Sequence, residues 1–195
     1  MSISLDLIKT LRERTGVGVV DAKKVLEKTD GNIEKAMDEL KKQGQKIAQK
    51  KAGRSTGEGF IGSYVHMDGK TAALVSLRCE TDFVARNQDF QTLARDIAMQ
   101  VAAMKPEYVR PEEIAPEVLE KEKSIYREQL QKQGKPANLV EKIVEGKINS
   151  FYQEVCLLNQ KFFKDEKKTI DALITEYIQK LGENIQVDSI ELLII

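Results

Sequence analysis

The sequence predicts an α+β fold, in which an N-terminal three-helix domain is tethered to a core with a three-stranded antiparallel sheet covered by helices. Three observations predict it. The first part of the chain repeats apolar residues at helical spacing and is interrupted by two glycine-containing turns. Residues 60–79 instead alternate apolar and polar positions on either side of Asp68-Gly69, a two-residue hairpin signal. The tail 185–195 again reads as a strand, and an isolated hairpin is unstable in water, so the tail is expected to be the third strand.

Taken in order, Ser4 is placed to cap a first helix with apolar positions Leu5, Ile8 and Leu11. Thr15-Gly16-Val17-Gly18 ends it, and Val19, Ala22 and Leu26 line the second helix. After the turn cluster Thr29-Asp30-Gly31-Asn32, a third helix carries Ile33, Ala36, Met37 and Leu40 and is expected to stop at Gly44. These helices make a domain over residues 1–45. Residues 46–57 read as a basic tether, helical or flexible, and residues 58–195 as the core. In the core, Asn87 is placed to cap a long helix that ends before Pro106. Pro116 suits the first turn of another helix, closed by Gly134. Pro136 opens the second arm of a helical hairpin, with Gly146 as an expected interruption, and a last amphipathic helix from Ile170 stops at Gly182.

Composition excludes several classes of function. Basic and acidic residues balance at 31 each in 195 residues, so the whole chain carries no polyanion-binding signature. Lys41 to Arg54 is the local exception, with six basic residues and no acidic one. No apolar run approaches the ~20 residues that span a bilayer, and the N-terminus lacks a signal-peptide pattern, so no membrane contact and a cytoplasmic location are expected. Cys79 and Cys156 are far apart, and His66 is the only histidine, which disfavours a disulfide scaffold, an ordinary zinc site and a histidine-based triad. Gly69-Lys70-Thr71 is no phosphate loop, because Tyr64 stands where the leading glycine would be and the context is a hairpin. Gly16-Val17-Gly18 lacks a third glycine and a preceding strand, and Glu112-Glu113 sits in a polar connection. Nothing nominates a nucleophile, a metal or a cofactor. The chain is expected to be no enzyme and to act through its surfaces.

The most informative stretch is Thr81-Asp82-Phe83-Val84, where the alternating run Ala73, Val75, Leu77, Cys79 gives way to helical spacing from Phe90. An aromatic beside a carboxylate at such a junction is well placed to project from rigid supports. Phe83 also keeps the parity of Val75, Leu77 and Cys79, which would bury it in the core. Both placements stand on the periodicity.

Several segments resemble one family. Thr15-Gly16-Val17-Gly18-Val19-Val20-Asp21-Ala22-Lys23-Lys24-Val25-Leu26 is similar to the N-terminal motif of the bacterial elongation factor Ts family. Glu80-Thr81-Asp82-Phe83-Val84-Ala85-Arg86-Asn87 resembles its internal signature. Gly134-Lys135-Pro136, Glu141-Lys142-Ile143-Val144-Glu145-Gly146 and Gly182-Glu183-Asn184-Ile185 match further segments in order, so the resemblance spans nearly the whole chain. It implies a ubiquitin-associated-like N-terminal domain and guanine-nucleotide exchange on elongation factor Tu, in its GDP-bound and nucleotide-free forms, without any covalent step. By the same resemblance Thr81, Asp82, Phe83 and Val84 dislocate the magnesium and phosphate side of the partner's nucleotide site. Val19 and Val20 of the N-terminal domain are a second candidate contact, with Val20 the better placed to face outward. The chain departs from the common long form in lacking a second core subdomain and a projecting coiled coil. In place of the basic residues that often follow the Gly-Glu-Asn-Ile segment, Asp188 and Ser189 follow Val187.

Two alternatives complete the reading. Lys41 to Arg54 could serve an RNA- or ribosome-associated module, against which stand the charge balance and the absence of aromatics among those lysines. The apolar tail Ile190-Glu191-Leu192-Leu193-Ile194-Ile195 either forms a two-fold homodimer interface, as short family members tend to, or folds back over its own core.

Overall fold

The computed structural model describes residues 3–195 and has the expected α+β architecture. Three helices come first: α1 (Leu5–Thr15), α2 (Val19–Lys28) and α3 (Ile33–Lys51). Ser4 caps α1 through its hydroxyl, which accepts from the Leu7 N–H, and the Asn32 carboxamide caps α3 by accepting from Lys35. Ile8, Leu11, Val17, Ala22, Val25, Leu26, Ala36 and Leu40 form one buried cluster, with Ile33 and Met37 packed on it. Two expectations fail here. Leu5 and Val19 are exposed, because each begins its helix on the turn facing water, and Val25 takes the inner place on α2. Nor does α3 stop at Gly44. It runs on to Lys51, with Gly44 buried where a side chain would collide with Gln179. The first part of the expected tether is therefore helix.

The hairpin β1 (Glu58–Val65) and β2 (Thr71–Cys79) follows, but Asp68-Gly69 is no two-residue turn: it sits in a longer loop, Met67 to Lys70, closed by the His66 N–H donating to the Thr71 carbonyl. On β2, Ala73, Val75, Leu77 and Cys79 are buried while Leu74 is exposed, the alternation expected of a sheet with one covered face. A single helical turn, α4 (Asp82–Ala85), leads to α5 (Gln88–Met104). The Asn87 carboxamide caps α5 by accepting from the Asp89 N–H at 2.8 Å. Gly62 of β1 lies so close to the Ala94 carbonyl of α5 that no side chain fits between them.

The antiparallel arms α6 (Pro116–Lys132) and α7 (Ala137–Val155) bury Leu130 against Val140, Val144 and Ile148. Gly146 does not interrupt α7: it sits on the exposed face, where a glycine weakens a helix without breaking it. A small hairpin not anticipated from sequence, β3 (Lys161–Phe162) with β4 (Asp165–Thr169), is pinned by buried Gln100, which donates to Gln160 and accepts from the Phe163 N–H. Helix α8 (Ile170–Leu181) ends at Gly182, and β5 (Gln186–Ile194) completes a sheet ordered β1-β2-β5. The Ile195 N–H donates to Lys70 at the opposite end of β2, so β5 runs antiparallel to it. Leu193, Ile194 and Ile195 remain exposed, so the tail does not fold back over its own core.

The residues group into two compact units, each continuous in space but not in sequence. One comprises the N-terminal residues through Phe60 with Leu77–Gln91 and Ala172–Gln186. The other comprises Ile61–Ser76, Thr92–Asp171 and Val187–Ile195.

Candidate functional site

At the end of β2 the chain must leave the sheet, and Thr81 makes it do so. Its backbone is extended, while its hydroxyl accepts from the Val84 N–H and caps the turn Asp82–Ala85. Helical twist then replaces strand alternation, and Phe83 rotates away from the face that buries Cys79. The ring is 84% exposed, whereas Ala85 takes the buried position and Val84 is half-buried. Of the two placements open on periodicity, the projecting one is realised.

A large exposed aromatic loses contact with its own fold, so what matters is how firmly its base is held. A turn of four residues cannot hold itself. Here the support comes from the chain after α8. The Glu183 carboxylate accepts from the Glu80 and Thr81 N–H groups, both at 3.0 Å, and from the Thr81 hydroxyl at 2.6 Å. The next residue returns the grip, as the Asn184 N–H donates to the Glu80 carboxylate at 2.7 Å and its side-chain amide donates to the Arg54 carbonyl at 2.9 Å. The Arg54 guanidinium lies 3.4 Å from Glu80. The Asn184 N–H, and after it Arg54, hold the Glu80 carboxyl below its ordinary range. Lys51 at the end of α3 donates to the Gly182 carbonyl, so the residues beyond α3 and α8 are laced together beneath the turn.

Asp82 points outward and pairs with Arg86 at 3.2 Å, one helical turn on. Both side chains are substantially exposed, so the pair is worth little to stability and leaves the carboxylate available. Cys79 beneath the turn is fully buried. Burial, with Glu183 nearby, pushes its thiol up to about 11, which keeps it neutral and unreactive. Among the described residues no group of histidine, cysteine, aspartate and glutamate side chains could hold a metal ion.

The second sequence-derived candidate lies in the same unit. Val19 and Val20 open α2 after the Gly16-Val17-Gly18 turn and are 51% and 64% exposed. Val20 was expected outside and Val19 inside, and both face solvent. Gly16 lies against the aliphatic stem of Lys180, whose ammonium pairs with Asp89 at 2.9 Å. Helix α8 thus touches the turn before Val19 and the start of α5 just after the Phe83 turn. Glu183 and Asn184, which hold the site together, were visible in sequence only as part of a family segment with no role attached.

The family described as "Elongation factor TS" matches residues 7–188. The chain is 55% identical to the elongation factor Ts of Thermosipho melanesiensis over 185 residues, covering 95% of this chain and 94% of that one. It is 53% identical to the elongation factor Ts of Maridesulfovibrio salexigens, covering 96% and 91%, and 51% identical to that of Geobacter sulfurreducens, covering 96% and 87%.

Proposed function

The chain belongs to the elongation factor Ts family, and with that membership goes a role in translation elongation; from this premise we propose that it is a guanine-nucleotide exchange factor for elongation factor Tu. The observation that carries the reading is Phe83, projecting from a turn whose backbone is held at both ends. In this reading Phe83 and Asp82 enter the partner beside its magnesium and phosphate site, and Thr81 and Val84 frame them. No bond in the nucleotide is made or broken.

The energetics are those of linkage. A protein that binds nucleotide-free partner more tightly than GDP-bound partner must weaken GDP binding by the same ratio. Each tenfold corresponds to ~1.4 kcal/mol. Burial of one phenylalanine supplies roughly 1.5–3 kcal/mol, or about one to two decades. Greater acceleration needs a second contact, and the exposed Val19-Val20 corner on the same compact unit is the candidate.

A nucleic-acid reading of residues 41–54 is poorer in support. Lys51 and Arg54, two of the six basic groups there, are engaged with Gly182 and Glu80 in the lacing beneath the turn. Calorimetry decides between the readings. Tighter binding to nucleotide-free than to GDP-bound elongation factor Tu is expected, and equal affinities would overturn the exchange mechanism. Salt-dependent binding of an RNA in place of the protein partner would favour the alternative.

A further inference from the structure

Resting on the exchange reading above, we propose that Glu183 is the positioning residue of the exchange step, its carboxylate fixing the direction in which Phe83 leaves the surface. Three donors converge on that one side chain, the N–H groups of Glu80 and Thr81 and the Thr81 hydroxyl. The two N–H groups belong to the residues where β2 has ended and α4 has not begun, so neither has a ladder or helix partner. The Thr81 oxygen that donates to Glu183 also accepts from the Val84 N–H at 3.4 Å. A continuous path therefore runs from the carboxylate through Thr81 to Val84, and Phe83 sits inside the span it closes. The anchor is itself anchored. Gly182, with a left-handed φ of +77°, turns the chain out of α8, and Asn184 then ties it to Glu80 and to the Arg54 carbonyl.

Glu183 is half-buried, and its carboxylate accepts from Glu80 and Thr81 at the base of the turn, so its effect passes through the turn. Without the carboxylate, water can satisfy the exposed Thr81 N–H and reach the part-buried Glu80 N–H at the edge of the fold. The fold then survives while Phe83 samples many directions and meets its pocket in few of them. This separates positioning from stability. A stabilising residue would change the population of folded chain, whereas a positioning residue changes the rate of the step in which Phe83 is inserted.

The test uses the full chain and stopped-flow release of fluorescent GDP from elongation factor Tu. Glu183→Ala is expected to lower the saturating release rate by about tenfold while raising the half-saturating concentration by less than about threefold. Glu183→Gln keeps an oxygen for the two N–H groups and is expected to retain at least about half the rate. The double variant Phe83→Ala with Glu183→Ala is expected to be no slower than Phe83→Ala alone, because the effect acts through the missing ring. Amide hydrogen exchange at Glu80 and Thr81 is expected to speed up in Glu183→Ala. Parent-like release by Glu183→Ala, equal impairment of the Ala and Gln variants, or multiplicative losses in the double variant would each overturn the positioning role. So would loss of folding in Glu183→Ala accompanied by a lowered melting temperature in Glu183→Gln. Failure of the unaltered chain to accelerate release removes the exchange reading and this role together, whereas an active parent with an equally active Glu183→Ala removes this role alone.

Discussion

Replacing Phe83 with alanine removes a ring that the protein's own fold scarcely uses. With 84% of the residue exposed, little intramolecular contact is lost, and the melting temperature is expected to stay within about 3 °C of the parent. The same exposure sets the functional effect. Complete burial of a phenylalanine is worth roughly 1.5–3 kcal/mol, and most of this ring's surface is still available for a partner to cover. Losing that burial slows factor-stimulated GDP release by about one to two decades at subsaturating concentration. The assay is stopped-flow release of fluorescent GDP from elongation factor Tu, run beside a melting curve for each variant. Parent-like release by folded Phe83→Ala would show that the ring makes no productive contact with the partner. A steep fall in melting temperature with normal release per folded molecule would instead show that the ring belongs to the core.

Four further outcomes follow from particular contacts. Val20→Asp adds a carboxylate to the first turn of α2, where the helix dipole favours it, so folding is spared while the half-saturating concentration for exchange rises by roughly tenfold; an unchanged value would remove the second contact. Gly62→Ala drives a methyl into the Ala94 carbonyl and should cost about 3 kcal/mol, lowering the melting temperature by ~6–12 °C, which calorimetry would detect. Gly146→Ala meets open space on α7 and should raise the melting temperature by about 2–4 °C, through the ~1 kcal/mol gained in helix propensity. Glu80 has a folded pKa below its ordinary 4.5, so its contribution is present above about pH 4.5 and is lost as pH falls through the folded value; melting temperatures from about pH 6 to about pH 3 should fall more steeply for the parent than for Glu80→Gln, and parallel curves would contradict the clasp.

Local chemistry made much of this fold legible. Ser4 and Asn87 cap the helices that follow them, as expected, and Asn32 of the turn cluster proves to cap α3 in the same way, because a side-chain oxygen one residue ahead of a helix satisfies orphan N–H groups wherever it occurs. Gly134 and Gly182 end helices in the left-handed conformation that glycine tolerates. The same residue type misleads at Gly44 and Gly146, where the backbone is helical and glycine serves close approach in one case and merely weakens the helix in the other. The hairpin of β3 and β4 left no signal, since its lysine-rich strands lack alternation and depend on a buried glutamine sixty residues away in sequence. Phe83 shows where periodicity runs out. Strand parity would bury it, and only the hydroxyl of Thr81, capping a turn inside the motif, reverses its direction. The grip of Glu183 was illegible for another reason, because it joins residues about a hundred positions apart.

In the proposed reading, this chain opens the nucleotide site of elongation factor Tu by binding, without altering the nucleotide. Stopped-flow release of fluorescent GDP at increasing concentrations of the unaltered chain tests it most directly. The release rate is expected to climb with concentration and saturate, with chemically intact GDP as the product. A rate that stays at the partner's intrinsic value across the whole titration would contradict it.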